Sequence, residues 1–281
     1  MNFLRRFFLP SLLGCLLLVP GAVSGQLAEE VPFITTPDNV TLEMLRLARV
    51  GANDHLIDLG SGDGRIVIVA ARRFGATGLG VEIVPDLVEQ SLRTAREAGV
   101  ADKVAFRVQD LFQTDLSPAT VVTMYLLPEF NLKLRPSLLE LKPGTRLVSH
   151  DWDMGDWKPD QTSVVQVPDK KVGLEKSSKV HLWIVPARIA GLWCGVGPLA
   201  GFSLRVAQNY QEVEADLTRG ERTRAIRGRM EGTVLKTQST QHGSLVLALH
   251  GSQLRVTGGE GPLALLREAH FERTAREMCR R

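Results

Sequence analysis

Cysteine is nearly missing from this chain: three occur in 281 residues, at Cys15, Cys194 and Cys279. Cys194 and Cys279 can pair in an oxidising compartment, but two cysteines exclude a disulfide scaffold as the basis of the fold. A dominant charge is missing too. The formal net charge of +3 includes Arg5 and Arg6 at the N-terminus, so the remainder is nearly neutral and polyanion binding is not its main business. The six histidines (His55, His150, His181, His242, His250 and His270) include no pair at metal-ligand spacing, and no metal is expected. No G-x-S-x-G elbow occurs, since Ser61 stands in "GSG", which removes that hydrolase chemistry. There is no internal repeat and no long linker.

What is present begins with "MNFLRRFFLPSLLGCLLLVPGAVSGQ". Arg5 and Arg6 form a positive start, Phe7 to Val19 an apolar centre, and "GAVSG" supplies small residues for cleavage: the three parts of a secretory signal. The apolar run falls short of the roughly 20 residues that span a bilayer, and Pro10 and Pro20 weaken an anchor further. Basic residues before the run and Glu29 and Glu30 after it direct the rest of the chain out of the cytoplasm. Residues 1–25 are therefore expected to be a signal peptide and the protein to be periplasmic or secreted. The alternative is an uncleaved leader that tethers the chain to a membrane.

Residues 26–186 then alternate helix and strand. "TTPDNVTLEMLRLARVG" carries Pro37 in its first turn, Val40, Met44 and Leu47 on one face and Gly51 as a stop, which predicts a helix. "HLIDL", "ATGLGVEI", "KVAFRVQD", "VVTMYLL" and "TRLVSH" read as strands, with helices between the first three and after the fourth. That alternation implies a parallel sheet covered on both faces, and "SVVQVP" and "KVHLWIVP" would bring it to seven strands. Beyond Pro186 the pattern changes. Residues 187–281 alternate apolar and polar residues between glycine-rich turns, which predicts a small antiparallel β-rich module with one wet face. Its last segment, "GPLALLREAHFERTAREMCRR", reads as an amphipathic helix packed on it.

The chemistry concentrates in "DLGSGDG", which follows the first strand and opens a helix. Gly60, Gly62 and Gly64 let the backbone turn sharply and approach a ligand closely, and the free N–H groups of the helix then face that ligand. The spacing is G-x-G-x-G with Arg65 next, where the dinucleotide fingerprint has its third glycine. That argues against a nicotinamide-dependent oxidoreductase. Glu82, 22 residues after Gly60 at the end of the second strand, is placed to accept from both hydroxyls of a ribose. Asp110 ends the third strand, where a carboxylate can accept from an exocyclic adenine amine.

The segment "LIDLGSGDGRIVIVAA … GLGVEI … VAFRVQD … LLELKPGTRLVSH" resembles the class I S-adenosylmethionine-dependent methyltransferases. With "PFITTP" ahead of it, the chain is similar to the lysine methyltransferases that modify the mitochondrial ATP synthase c-subunit and adenine nucleotide translocase, and to their bacterial relatives, over about residues 31–160. The resemblance implies a Rossmann-like α/β fold and S-adenosylmethionine as cofactor. Asp58 and the loop Gly60, Ser61, Gly62 and Gly64 would hold its methionine end, Glu82 the ribose and Asp110 the adenine. Thr35, Thr36 and Pro37 would help to cover it. After the fourth strand stands "YLLPEF" rather than the Asn/Asp-Pro-Pro-Tyr/Phe of enzymes that methylate nucleobase amines, so nucleic acid is not expected as substrate. Tyr125, Asp151 and Trp157, at or beyond the carboxyl ends of the fourth and fifth strands, are the candidates for a substrate pocket.

The function expected is methyl transfer to a protein side chain, with lysine the first candidate and a membrane protein a possible partner. The alternative from another class is an exported, non-catalytic binding module on a methyltransferase scaffold, motivated by the leader.

Overall fold

The computed structural model describes residues 34–171, 175–240 and 243–279; the leader, on which the export expectation rests, lies outside the described residues. After α1 (Asp38–Leu47), strands and helices alternate: β1 (His55–Leu59), α2 (Arg65–Phe74), β2 (Thr77–Glu82), α3 (Pro85–Glu97), β3 (Val104–Val108), β4 (Val121–Met124), α4 (Pro128–Leu138) and β5 (Arg146–His150). Two further strands follow, β6 (Gln161–Gln166) and β7 (Ser177–Ile184). Local chemistry sets the helix limits. Pro85 and Pro128 open α3 and α4, where a missing N–H costs no hydrogen bond. Gly75 closes α2 in the left-handed conformation that a Cβ disfavours.

The seven strands are ordered β3-β2-β1-β4-β5-β7-β6. β1 to β5 are parallel. β7 runs antiparallel to both β5 and β6, because β6 and β7 form a hairpin without the crossover helix that a parallel pair needs. The sheet is therefore mixed where alternation alone implied a parallel one. Successive side chains point to opposite faces. Leu56, Val121, Val148 and Leu182 pack with residues of α1, α2 and α3. Ile57, Val122, Leu147 and Trp183 pack with Leu134 and Leu138 of α4. The strand order reverses between β1 and β4, so the carboxyl ends of β1, β2, β4 and β5 surround a natural ligand crevice.

The remaining eight strands, β8 (Gly191–Val196), β9 (Phe202–Asn209), β10 (Glu212–Arg219), β11 (Arg222–Glu231), β12 (Val234–Thr237), β13 (Leu245–His250), β14 (Gln253–Gly259) and β15 (His270–Thr274), close into a barrel. Trp193, Leu204, Val213, Met230, Leu247, Leu254 and Phe271 belong to its buried core. The module is thus antiparallel and β-rich, as its pattern predicts, and its strands close on themselves. The expected terminal helix does not form. Gly261–Leu266 is a short 3-10 turn with Leu265 89% exposed, and His270–Thr274 is a strand between β14 and β8. Helical periodicity yields there because two open strand edges gain a complete ladder, which an amphipathic helix cannot supply. The disulfide Cys194–Cys279 ties the segment after β15 back to β8.

Candidate active site

The glycine loop is built by β1 and β2 together. The N–H groups of Gly60 and Ser61 both donate to the Val81 carbonyl, at 3.0 and 2.9 Å. Gly60, Gly62 and Gly64 all have φ between 53° and 76°, where side-chain-bearing residues are strained. At Gly64 there is no room for one in any case, since a Cβ would stand 2.7 Å from the Phe106 ring and from Ser91 Oγ. Ser91 Oγ donates to the Gly62 carbonyl at 3.1 Å and fixes the loop against α3.

Glu82 ends β2 beside this loop. Its Oε2 accepts from Gly62 N at 3.0 Å, and its Oε1 accepts from Ile83 N and Val84 N at 2.8 and 3.1 Å. Asp110 lies one strand further on; its carboxylate accepts from Phe112 N and Gln113 Nε2 at 2.9 and 3.2 Å. Gln109 N donates to the Glu82 carbonyl at 2.9 Å, so the two acids border one edge. Asp58, near the end of β1 and just before the loop, is 2% exposed and accepts from Thr123 Oγ1 at 2.7 Å. Burial, helped by the charges of Asp63 and Glu82, pushes its carboxyl up to about 7. Ser61 Oγ is buried and unpartnered among the described residues.

A buried carboxyl short of a cation, an unpartnered hydroxyl and a cradle with no space for side chains fit a cofactor carrying positive charge and an amino-acid end. Thr36 reaches the same place from the N-terminal side. Its carbonyl accepts from Arg65 Nη1 at 2.9 Å, and Arg65 pairs with Asp63 in the loop at 2.6 Å.

The acceptor side lies at the ends of β4 and β5. The Tyr125 ring stacks on His150, with centroids 3.9 Å apart and planes at 28°. His150 Nδ1 is 3.2 Å from Thr36 Oγ1 and Nε2 is 2.9 Å from Ser178 Oγ. Burial holds this imidazole below its ordinary value, against the pull of Asp151, so it is neutral at neutral pH. Asp151 has φ 62°; it pairs with Lys170 Nζ at 2.8 Å and accepts from Lys179 N at 2.9 Å.

Of the residues expected from sequence, Asp58, Gly60, Ser61, Gly62, Gly64, Glu82 and Thr36 gather at the loop, with Asp110 at its border. Tyr125 and Asp151 stand together through His150. Trp157 does not join them. It is fully buried, donates from Nε1 to Gln211 Oε1 at 2.9 Å, and stacks on Tyr210 at 5.8 Å. Trp157 is the joint between the sheet domain and the barrel rather than a pocket wall, because Gln211 supplies the polar partner that a buried indole needs. Sequence reasoning passed over His150 and Thr123. The available signal for His150 was its place at the carboxyl end of β5.

A family model described as the ANTKMT methyltransferase domain matches residues 58–161. A protein-lysine N-methyltransferase of Saccharolobus islandicus is 39% identical over 157 residues, which make up 55% of this chain and 94% of that protein. The chain belongs to this methyltransferase family. The mouse lysine N-methyltransferase of the ATP synthase c-subunit is 33% identical over 47% of this chain, and the chain spans only 53% of its length. Among solved structures, an RNA methyltransferase from Salinibacter ruber in complex with S-adenosyl-L-homocysteine is 55% identical, with a TM-score of 0.50 over 56% of this chain and 96% of that one. The protein is an S-adenosylmethionine-dependent methyltransferase. The archaeal and Salinibacter relatives are matched nearly end to end by little more than half of this chain, so the barrel is an addition to a unit complete in those proteins.

Proposed function

We propose that this methyltransferase transfers a methyl group to a lysine side chain of a protein substrate, and that it acts outside the cytoplasm. The observation that carries the lysine assignment is the near-complete match of a protein-lysine N-methyltransferase to the sheet domain. The Salinibacter relative is named for RNA, but "YLLPEF" at Tyr125–Phe130 lacks the Asn/Asp-Pro-Pro segment that would grip a nucleobase amine, which favours lysine here.

S-adenosylmethionine supplies an electrophilic methyl on a sulfonium, so little acid–base help is needed beyond removing one proton from the acceptor amine. The chain's residues bind, align and exclude water. Ionised Asp58 and the loop around Ser61 would hold the amino-acid end. Glu82, which accepts from Gly62 N, would hold the ribose hydroxyls, and Asp110 the adenine amine. Thr36, pinned by Arg65, covers the crevice. Asp151 is matched by Lys170 and Lys179 N, so it orients the acceptor side rather than taking the proton, which leaves to water.

Transfer of labelled methyl by the purified protein, followed by mass spectrometry of the product, tests the acceptor. Label on lysine in a protein mixture supports the assignment; label confined to added RNA overturns it.

Two features support action outside the cytoplasm: the three-part leader in residues 1–25 and the Cys194–Cys279 disulfide, a bond that persists in oxidising compartments. A reporter active only outside the cytoplasm, fused after residue 30, should be active; a silent fusion would defeat export.

A further inference from the structure

The acceptor side holds a buried histidine to which the chemistry above assigns nothing. His150 is 1% exposed. Both ring nitrogens are occupied by hydroxyls from distant parts of the chain, Thr36 before α1 and Ser178 on β7. One face of the ring lies flat against Tyr125. A neutral imidazole bonded on both sides cannot rotate without orphaning a buried hydroxyl, and each such loss costs about as much as a whole hydrogen bond. It is therefore a fixed platform, and Tyr125 is what rests on it.

Tyr125 is the first residue after β4 and is only partly buried. Among the described residues its hydroxyl has no hydrogen-bond partner. The next residue, Leu126, lies so close to the glycine loop that a Cβ on Gly60 would stand 3.1 Å from its Cδ2. The phenol is thus held by a stack on one face, one residue ahead of Leu126 at the cofactor loop, and its oxygen has no partner among the described residues. The charged groups around the stack are Asp151, next in the chain after His150 and 3.5 Å from its Nε2, and Lys170, paired to Asp151.

We propose that His150 is a positioning residue: stacked beneath Tyr125 and locked by Thr36 and Ser178, it orients the tyrosine hydroxyl to accept a hydrogen bond from the incoming lysine amine. This rests on the lysine assignment above. A primary amine keeps a lone pair for the methyl carbon only if its N–H bonds are directed elsewhere. A fixed phenolic oxygen on one side of the amine provides that direction, whereas a mobile ring would lose it. His150 does not touch the substrate; its contribution passes entirely through the Tyr125 ring.

The test is a double-variant cycle on the full chain with a lysine acceptor, joined to a readout that needs no activity. His150→Asn removes the stack. It is expected to lower kcat at least tenfold while the affinity for S-adenosylmethionine, measured by calorimetry, stays within twofold. In a Tyr125→Ala background the same change should cost nothing further. Because the chain has two tyrosines, selective tyrosine labelling gives two sets of ring resonances by NMR, and only that of Tyr125 should move in His150→Asn, losing the shielding of the imidazole. His150→Phe keeps a ring in place and should keep most of the shift; it serves if His150→Asn does not fold.

Losses that multiply in the double variant, cofactor affinity that falls in step with turnover, or an unmoved Tyr125 resonance would each overturn the proposal. If the parent transfers no methyl to lysine, the lysine assignment fails on its own. The Tyr125 resonance then still decides whether His150 orients the ring.

Discussion

Asp58 is the residue whose environment makes the sharpest demand. A carboxyl 2% exposed with a single hydroxyl donor is a poor anion by itself, which is why burial drives it up to about 7. Between the ordinary carboxylate value of about 3.9 and that point, the folded state binds this proton more tightly than the unfolded chain. Unfolding free energy from this group therefore falls as pH rises across the window and levels off above it. The sign reverses for a cationic cofactor, which needs the carboxylate. Affinity for S-adenosylmethionine should be level above pH 7 and fall about tenfold per unit below it, and Asp58→Asn should flatten the profile at weak affinity. The same variant should raise the stability of the cofactor-free protein at pH 8. Calorimetric titrations from pH 5.5 to 8.5, with urea unfolding alongside, check both signs, and parallel profiles for parent and variant would remove Asp58 from the site. Glu82 makes the complementary case. Its carboxylate is occupied by three N–H donors of the loop and strand end, so Glu82→Ala should cost cofactor affinity through lost ribose contacts and a loosened loop together. A fall of tenfold or more is expected, and a change below twofold would show that ribose is held elsewhere.

At the level of elements, the β1–loop–α2 unit was legible because everything that forms it is local: a short apolar strand, glycines at the positive-φ positions and a helix that follows at once. The strand-end acids were legible for the same reason, since a parallel strand's last residue must lie at the carboxyl edge. What escaped was decided by partners far along the chain. Trp157 sits in a polar loop that looks like a pocket rim until Gln211, 54 residues later, caps its indole. His150 gains its role only when Thr36, 114 residues earlier, reaches across the sheet. The terminal segment has helical periodicity, yet the register Phe271↔Leu254 and Phe271↔Gly195 takes it into the barrel. Trp157→Phe separates the joint from the pocket. It keeps the packing but leaves Gln211 Oε1 buried and unpaired, a loss of about 1–3 kcal/mol in unfolding free energy. Cofactor affinity should stay within twofold; a large fall there would return Trp157 to the substrate wall.

Taken whole, the molecule couples a sheet domain to a barrel, and little more than half of the chain matches the Saccharolobus and Salinibacter relatives nearly end to end. Two different devices hold the addition together. The joint with the sheet is polar: Trp157 to Gln211, which is buried, and Arg229 to Asp160 at 2.7 Å, which is partly exposed. The barrel's own closure depends on a strand that arrives last in the chain and is retained by Cys194–Cys279, at a sequence separation of 85. Closing so long a loop removes much of the unfolded chain's freedom, and native bridges of this kind contribute about 2–5 kcal/mol. None of that freedom belongs to the cofactor loop, whose hydrogen bonds run to β2 and α3. Reduction, or the paired change Cys194→Ala and Cys279→Ala, should therefore lower the unfolding midpoint of the barrel, read through the buried Trp193. Below that midpoint, affinity for S-adenosylmethionine should remain within twofold of the oxidised protein's. If binding were lost on reduction while α/β circular dichroism persisted, the barrel would be holding the cofactor site in shape, and its addition would have to be understood as part of the catalytic unit rather than as a separately stabilised neighbour.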